Sequence, residues 1–342
     1  MTTDLLSRQR GFSLVELMIA LVLGLIVVGG SLAVFASQRV TMRLSGEMAD
    51  VQADGRVVLD ALARDLRTAG DFGCWPVSNP PISKLVNAAV FDETAGGLAG
   101  YDGPTSLPSA SGPFGVATVR SAALDTNSDI VSISGVFGSL SQLKSGMTDQ
   151  SAALVLKQPT QSFQANDVAV ITDCVNWSKF QVTSVATDAS AKTETLSHAA
   201  GGAGVGGGNK DPTLGEVFAT GATVGRLDTV WWFIATQADG QKGLFRLSAR
   251  DGVPILVSER VSAMVLLYDI DSDGDGVVDQ ADKTAADVSN WAQVRGVKAQ
   301  LLMRSEKKAA TAAGTGVFDG QSVPQDGRLY LPLQMNVALR NQ

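Results

Sequence analysis

Hydrophobic positions along this chain fall into three textures. From Phe12 to Ala36 they are nearly continuous, FSLVELMIALVLGLIVVGGSLAVFA, and Glu16 is the only charge in the run. That is long enough to cross a bilayer, which takes roughly 20 apolar residues in a helix. A helix satisfies its own backbone hydrogen bonds and is therefore the form such a segment takes in lipid. From Ser37 to Ala69 the apolar positions thin out to three- and four-residue steps: Val40, Leu44, Met48, Val51, Val58, Leu62 and Leu66. Arg39, Arg43, Glu47, Asp50, Asp54, Asp60, Arg64 and Asp65 occupy the other face. The spacing predicts that the same helix continues in amphipathic form and stops at Gly70. Gly46 and Gly55 weaken it locally, by about 1 kcal/mol each relative to Ala. Gly24, Gly29 and Gly30 permit bending or close helix contact.

Beyond Gly70 the texture becomes that of short strands and turns. Residues 71–128 are rich in Pro, Gly, Ser and Asn and predict a long irregular connection. Strand-like runs follow at Asp129–Ser134, Ala152–Lys157, Val168–Thr172 and Lys179–Ala186. Residues 199–210 are almost pure Gly and Ala, which predicts a flexible excursion. Thr229–Ala235 and Leu244–Ser248 flank a QADGQKG turn, a hairpin signal, with Trp231 and Trp232 as packing residues. Val261–Ile270, Val294–Met303 and Leu329–Leu339 come next. In the last of these, Leu329, Leu331, Leu333, Met335, Val337 and Leu339 alternate with polar residues, as in a half-buried antiparallel strand. The pattern predicts an α+β fold in which a long N-terminal helix packs on antiparallel sheet.

Charge placement orients the anchor. Arg8 and Arg10 precede the apolar run and hold the N-terminus in the cytoplasm, so everything after Ala36 is exported. A cleaved signal peptide is the competing reading, with Val34-Phe35-Ala36 as its cleavage pattern. A signal core is roughly 7–15 residues without an acid, and this run is longer. A plain anchor gives no reason for Glu16, because an ionisable group inside the hydrocarbon costs about 2.5 kcal/mol or more and calls for a partner.

Gly11-Phe12-Ser13-Leu14-Val15-Glu16-Leu17 resembles the N-terminal signal of type IV prepilins and pseudopilins. The resemblance implies that a prepilin peptidase cuts between Gly11 and Phe12 and methylates the new amine of Phe12. It also implies that Glu16 is the acid that neutralises this amine on a neighbouring subunit, which favours assembly in register. The chain then divides into a leader at 1–11, a transmembrane and assembly helix at 12–36, its amphipathic continuation at 37–70, and a β-rich periplasmic head at 71–342. The ending GRLYLPLQMNVALRNQ, Cys74 just after the helix and Asp173-Cys174 resemble the PilW family of minor pilins. That implies a subunit of the tip or priming complex that initiates type IV pilus assembly and supports adhesion or twitching motility. The implied partners are other minor pilins, the major pilin, a tip adhesin and the prepilin peptidase. The implied location is the inner membrane, then the pilus at the cell surface. A large J-like pseudopilin of type II secretion is the alternative.

Composition narrows the rest. A net charge of −7 argues against nucleic acid and anionic membrane surfaces as partners of the exported part. The two cysteines, Cys74 and Cys174, lie on the exported side, where an even count suggests one disulfide. The one histidine, His198, beside the Gly-rich stretch, reads as a solvated loop residue. With no Ser-His-Asp or Cys-His arrangement, P-loop or GxGxxG, the chain is not expected to be an enzyme.

Six acids between two predicted strands carry the remaining chemistry. Counting from Asp271, acids fall at positions 1, 3, 5, 9 and 12 (Asp271, Asp273, Asp275, Asp279 and Asp282). Gly276 falls at 6 and the Val277 carbonyl at 7, the spacing of an EF-hand calcium loop. Asp282 stands where Glu is usual, so the loop resembles that of a dockerin. Counting from Asp269 fits worse, because Gln280 then closes the ring. The expected cofactor is Ca²⁺, and the competing reading is a solvated acidic turn.

Overall fold

The computed structural model describes residues 13–74, 82–87, 91, 96–109, 114–157, 163–204, 206–308 and 316–339. Gly11, Phe12 and the preceding arginines lie outside the described residues. Helix α1 (Leu14–Leu66) is one uninterrupted element of 53 residues, about 80 Å long at 1.5 Å per residue. Residues 13–46 are exposed, and burial starts only at Glu47 and Met48. Val40 and Leu44, expected on the packed face, therefore remain outside the head.

The head is built from eighteen short-to-long strands among the described residues. In chain order, β1 (Ile82–Ser83) and β2 (Leu98–Tyr101) precede a short helix, α2 (Val116–Ser121). Then come β3 (Ile130–Val136), β4 (Ser141–Gln142), β5 (Leu154–Lys157), β6 (Val168–Thr172) and β7 (Trp177–Gln181). Next are β8 (Ser184–Asp188), β9 (Thr193–Ser197), β10 (Thr223–Thr236), β11 (Lys242–Ser248) and β12 (Pro254–Ser258). The chain ends with β13 (Val261–Ile270), β14 (Gln280–Lys283), β15 (Val294–Lys308), β16 (Val317–Phe318), β17 (Gln321–Ser322) and β18 (Arg328–Ala338). Nine strands form one sheet around β10, which pairs antiparallel with β3, β4, β6 and β11. A second sheet runs β14-β13-β15-β18, and a third β5-β9-β8. Apart from the parallel contact of β1 with β7, the pairing is antiparallel, and the α+β expectation holds.

The second sheet receives the helix. Val51, Val58, Leu59, Leu62, Ala63 and Leu66 of α1 join Met264, Leu266, Val297, Leu301, Met303 and Val337 in the largest core cluster. Leu331, Leu333, Met335 and Leu339 pack against it, as their alternation predicts. Gly55 is a requirement of this packing. A Cβ there would sit 2.2 Å from Leu333 Cδ1 and 3.3 Å from Met303 Cγ. The residue that weakens the isolated helix is the one that lets the backbone approach the sheet. Polar groups fix the azimuth. Asp65 accepts hydrogen bonds from Trp232 Nε1 (2.9 Å) and Arg246 Nε (2.7 Å), and Asp54 accepts one from Ser258 (2.5 Å). These acids belong to the helix–head junction, whereas Arg64 and Asp60 pair with each other in solvent.

Successive residues of β10 point to opposite faces, so Trp232 enters the helix-side core while Trp231 enters a separate cluster with Val116, Val119 and Phe233. Trp231 stacks on Tyr101 with centroids 5.7 Å apart and donates to the Phe114 carbonyl. Both tryptophans are packing residues, fully buried. The described part of the connection 71–128 holds more regular structure than its composition predicts, because β2 pairs with β3 and α2 covers Trp231. The stretch expected at Lys179–Ala186 divides into β7 and β8, which belong to different sheets.

Two expectations near the Gly-rich stretch are corrected. His198 is 3% exposed, not solvated. Its Nδ1 and Nε2 each lie 2.9 Å from a carbonyl oxygen, of Pro212 and Ala152, and its ring meets Phe180 edge-on. In the described part of 199–210, residues 199–204, Gly207 and Lys210 are exposed, but Gly206, Gly208 and Asn209 are buried and the loop is tied down by hydrogen bonds. Asn209 pairs with Gly201 and exchanges hydrogen bonds with buried Gln181 through both ends of its side-chain amide. A Cβ on Gly208 would lie 2.5 Å from the Gly201 backbone, so the glycines serve close approach.

The two large sheets are joined at Asp129. Its N–H donates to the Met264 carbonyl and its carboxylate accepts the Leu266 N–H at 2.7 Å. Burial pushes this carboxyl from 3.8 up to about 7, the Leu266 hydrogen bond opposes the rise, and Asp102 and Asp319 add to it. The folded head therefore holds a proton that the unfolded chain has released, and stability falls as pH rises from about 4 towards about 7. Asp129→Asn keeps an acceptor for Leu266 and should flatten that fall, measured as denaturation midpoint against pH.

Candidate functional site

Three features carry the chemistry singled out above. The first is the exposed stretch of α1. Leu14, Val15, Leu17 and Met18 are 57–77% exposed, and apolar residues continue so to Phe35. The stretch is long and apolar enough to cross a membrane, and none of it is covered by the head. A soluble protein does not leave such a surface in water. Glu16 stands in the first turn of this helix, where a carboxylate also complements the N-terminal end of the helix dipole. Past the apolar run, the Arg39 guanidinium lies 4.5 Å over the Phe35 ring.

The second is the Cys74–Cys174 disulfide, with Cα atoms 5.2 Å apart across 100 residues of sequence. Cys174 occupies a left-handed position (φ 69°) in the turn between β6 and β7. Asp173 builds that turn by accepting the N–H groups of Val175 and Asn176. Cys74 follows α1 after a tight exit in which Gly70 donates to the Ser134 carbonyl. The bridge ties the end of the helix to the nine-stranded sheet, while its core face lies on the four-stranded one.

The third is the acidic loop between β13 and β14. Asp271, Asp273 and Asp275 each place a carboxylate oxygen within 4.8 Å of the others. Asp271 is buried, and accepts from the N–H groups of Gly274 (2.7 Å) and Gly276 (3.0 Å) and from Arg295 Nε (3.0 Å). Burial pushes its carboxyl up, but the Arg295 and backbone hydrogen bonds outweigh this and hold it below the usual range. Gly274 and Gly276 have φ of 79° and 88°, which makes the tight turn accessible to glycine. The other two acids have protein partners. Asp279 accepts from the Ser272 hydroxyl and N–H, which hold its carboxyl low, and Asp282 forms an ion pair with Lys298. Three of the five carboxylates expected around a cation therefore converge, and two are directed elsewhere. Neither Arg295 nor Lys298 was anticipated as a partner, since each reaches the loop from β15 across the sheet.

A long exposed apolar helix with an early acid, continuing into a disulfide-tied β-rich head, defines a pilin-like subunit. Residues 6–32 match the family model for the prokaryotic N-terminal methylation motif, and residues 231–341 match that for type IV pilus-assembly protein W. These two matches support a type IV pilus-related minor pilin, and with the single apolar N-terminal helix they support a single-pass inner membrane protein incorporated into the pilus. No curated protein matches it. The second match runs from within β10 through β18 and so includes the four-stranded sheet that receives α1.

The disulfide closes a loop whose constraint is worth up to about 4–5 kcal/mol in the chain-entropy picture. Reduction, or Cys74→Ser with Cys174→Ser, should lower the denaturation midpoint of the head markedly. Thiol labelling of the unreduced, denatured protein should find no free cysteine, and two labelled thiols would exclude the bridge.

Proposed function

We propose that this protein is a subunit of the priming or tip complex from which a type IV pilus grows. The observation that carries the reading is α1: some thirty exposed residues with one acid at their start, joined without a break to a head that covers only the last five turns. Such a helix is unfinished as a monomer. In the bilayer its apolar surface faces lipid, and in an assembly it faces the same helix of other subunits.

In this reading a prepilin peptidase cuts between Gly11 and Phe12, and the freed amine of Phe12 becomes a cation. Glu16 of one subunit then meets the amine of its neighbour. Each charge is costly alone in lipid and the pair is less so, which favours helices aligned in register. Its partners are other minor pilins, the major pilin and a tip adhesin, and the assembled pilus serves adhesion or twitching motility. A catalytic role has no part in the reading.

The acidic loop is assigned to Ca²⁺, a hard cation that takes oxygen ligands in flexible geometry. Asp271, Asp273 and Asp275 would hold it, and their mutual repulsion is relieved by its charge. Asp279 and Asp282 would join only by leaving Ser272 and Lys298. The ion's role is to stiffen the loop.

Two experiments test these assignments. Intact mass of the protein from its native membrane should give a chain starting at N-methylated Phe12. Glu16→Ala should insert normally but be depleted from complexes captured through another minor pilin. A start at Met1, or undiminished capture of the variant, overturns the assembly account. For the loop, calorimetry with Ca²⁺ should show one bound ion and a raised Tm, both abolished by Asp273→Ala with Asp275→Ala. No heat and no Tm shift would remove calcium from the reading.

A further inference from the structure

Where α1 enters the head, a cleft of about 500 Å³ opens between the helix and the end of β15. Arg43, Glu47 and Asp50 border it from the helix, and Lys307 and Lys308 from the strand. Arg43 follows the end of the apolar run at Ala36 by about two helical turns, roughly 10 Å of rise. That is close to the headgroup layer, since a bilayer of about 30 Å hydrocarbon measures about 40–45 Å with its headgroups. Long Arg and Lys side chains extend their charges towards that layer while their stems lie along the protein.

The cleft holds both signs of charge, in an order. The cation of the helix, Arg43, is nearest the apolar run, and the acids Glu47 and Asp50 lie one and two turns further out. Glu47 differs from the other acids along the helix–head junction. Asp54 and Asp65 each accept hydrogen bonds from the head. One carboxylate oxygen of Glu47 is buried and accepts none from the described residues, which is costly for a charged acceptor. The missing group is a donor, and a primary ammonium offers three N–H bonds. The cations beside it suit a phosphate, with which they form charge-assisted hydrogen bonds.

We propose that this cleft binds the headgroup of a phospholipid carrying both a phosphate and a primary amine, in the leaflet that surrounds α1. The phosphate sits on Arg43, Lys307 and Lys308, and the ammonium on Glu47 and Asp50. The head is thereby seated on the membrane before the subunit is drawn into a fibre. A choline headgroup has no N–H to give Glu47, and a glycerol headgroup has no cation, so the cleft selects the primary amine. The negative charge of the chain as a whole is no obstacle, because the cleft recognises a zwitterion. The proposal rests on α1 spanning the bilayer.

The test uses the full chain reconstituted into three kinds of vesicle: phosphatidylcholine alone, mixed with phosphatidylethanolamine, or mixed with phosphatidylglycerol. Flotation reports insertion, and trypsin cleavage after Lys307 and Lys308 reports seating. Cleavage after Lys192, on an exposed turn remote in sequence from the cleft, is the internal reference. Phosphatidylethanolamine should slow cleavage at Lys307 and Lys308 about tenfold relative to phosphatidylcholine, the scale of one charge-assisted hydrogen bond. Glu47→Gln, which keeps both cleavage sites, should abolish the difference. A chain that floats but is cleaved equally in all three vesicles overturns the cleft alone. Protection by phosphatidylglycerol that matches or exceeds that by phosphatidylethanolamine, or protection that survives Glu47→Gln, also overturns it. A chain that fails to float overturns the spanning reading and the cleft with it.

Discussion

The fit of α1 against the β13–β15–β18 sheet is the constraint on which the remaining structure depends. At Gly55 the helix backbone approaches Leu333 and Met303 so closely that a methyl group has no room. That contact sets the depth of packing, and Asp65, held by Trp232 and Arg246, sets the rotation. With depth and rotation fixed, Val58, Leu62 and Leu66 fall into the core. The apolar residues from Leu14 to Phe35 then leave the head on the same uninterrupted helix. A helix that could rotate or slide would carry Glu16 with it, some 40 residues away. A rigid junction thus fixes where Glu16 lies relative to the head.

The disulfide serves the same end from the other side. The core face of α1 lies chiefly against β15 and β18 of the four-stranded sheet, in a core that also takes Val230 and Trp232 from the nine-stranded one, and the bridge holds the helix exit to the β6–β7 turn of the latter. Asp129 crosses between the two sheets with a backbone and a side-chain hydrogen bond. Three independent links thus span the head, and they differ in kind: apolar contact, covalent bond and buried carboxyl. The acidic loop is set apart from them. It projects from the β13–β14 end of the second sheet, anchored through Asp271 and Arg295 but with Asp273 and Asp275 exposed. A loop so placed is free to respond to solvent without disturbing the helix.

What the sequence determined by itself is the part of the molecule governed by local pattern. Nearly continuous hydrophobicity from Phe12 to Ala36 specifies a helix in lipid, because no other form satisfies the backbone there. Three- and four-residue spacing carries that helix to Leu66, strand-like apolar runs mark β13 and β15, and alternation picks out β18, because period follows from backbone geometry. The acid near the start of the anchor and the acidic spacing were legible for the same reason, each being a short-range arrangement, while the cysteine pair, 100 residues apart, was legible from its even count on the exported side. Partners from distant sequence were not. Only the tertiary structure placed Leu333 against Gly55, Arg246 on Asp65, Arg295 on Asp271, Lys298 on Asp282, and two carbonyls around His198. Composition misled wherever glycine served close packing, as at Gly55 and Gly208, because a missing side chain looks the same in a string whether it allows freedom or contact. A residue's partners depend on which strands become neighbours, and that is decided by the burial of whole faces at once.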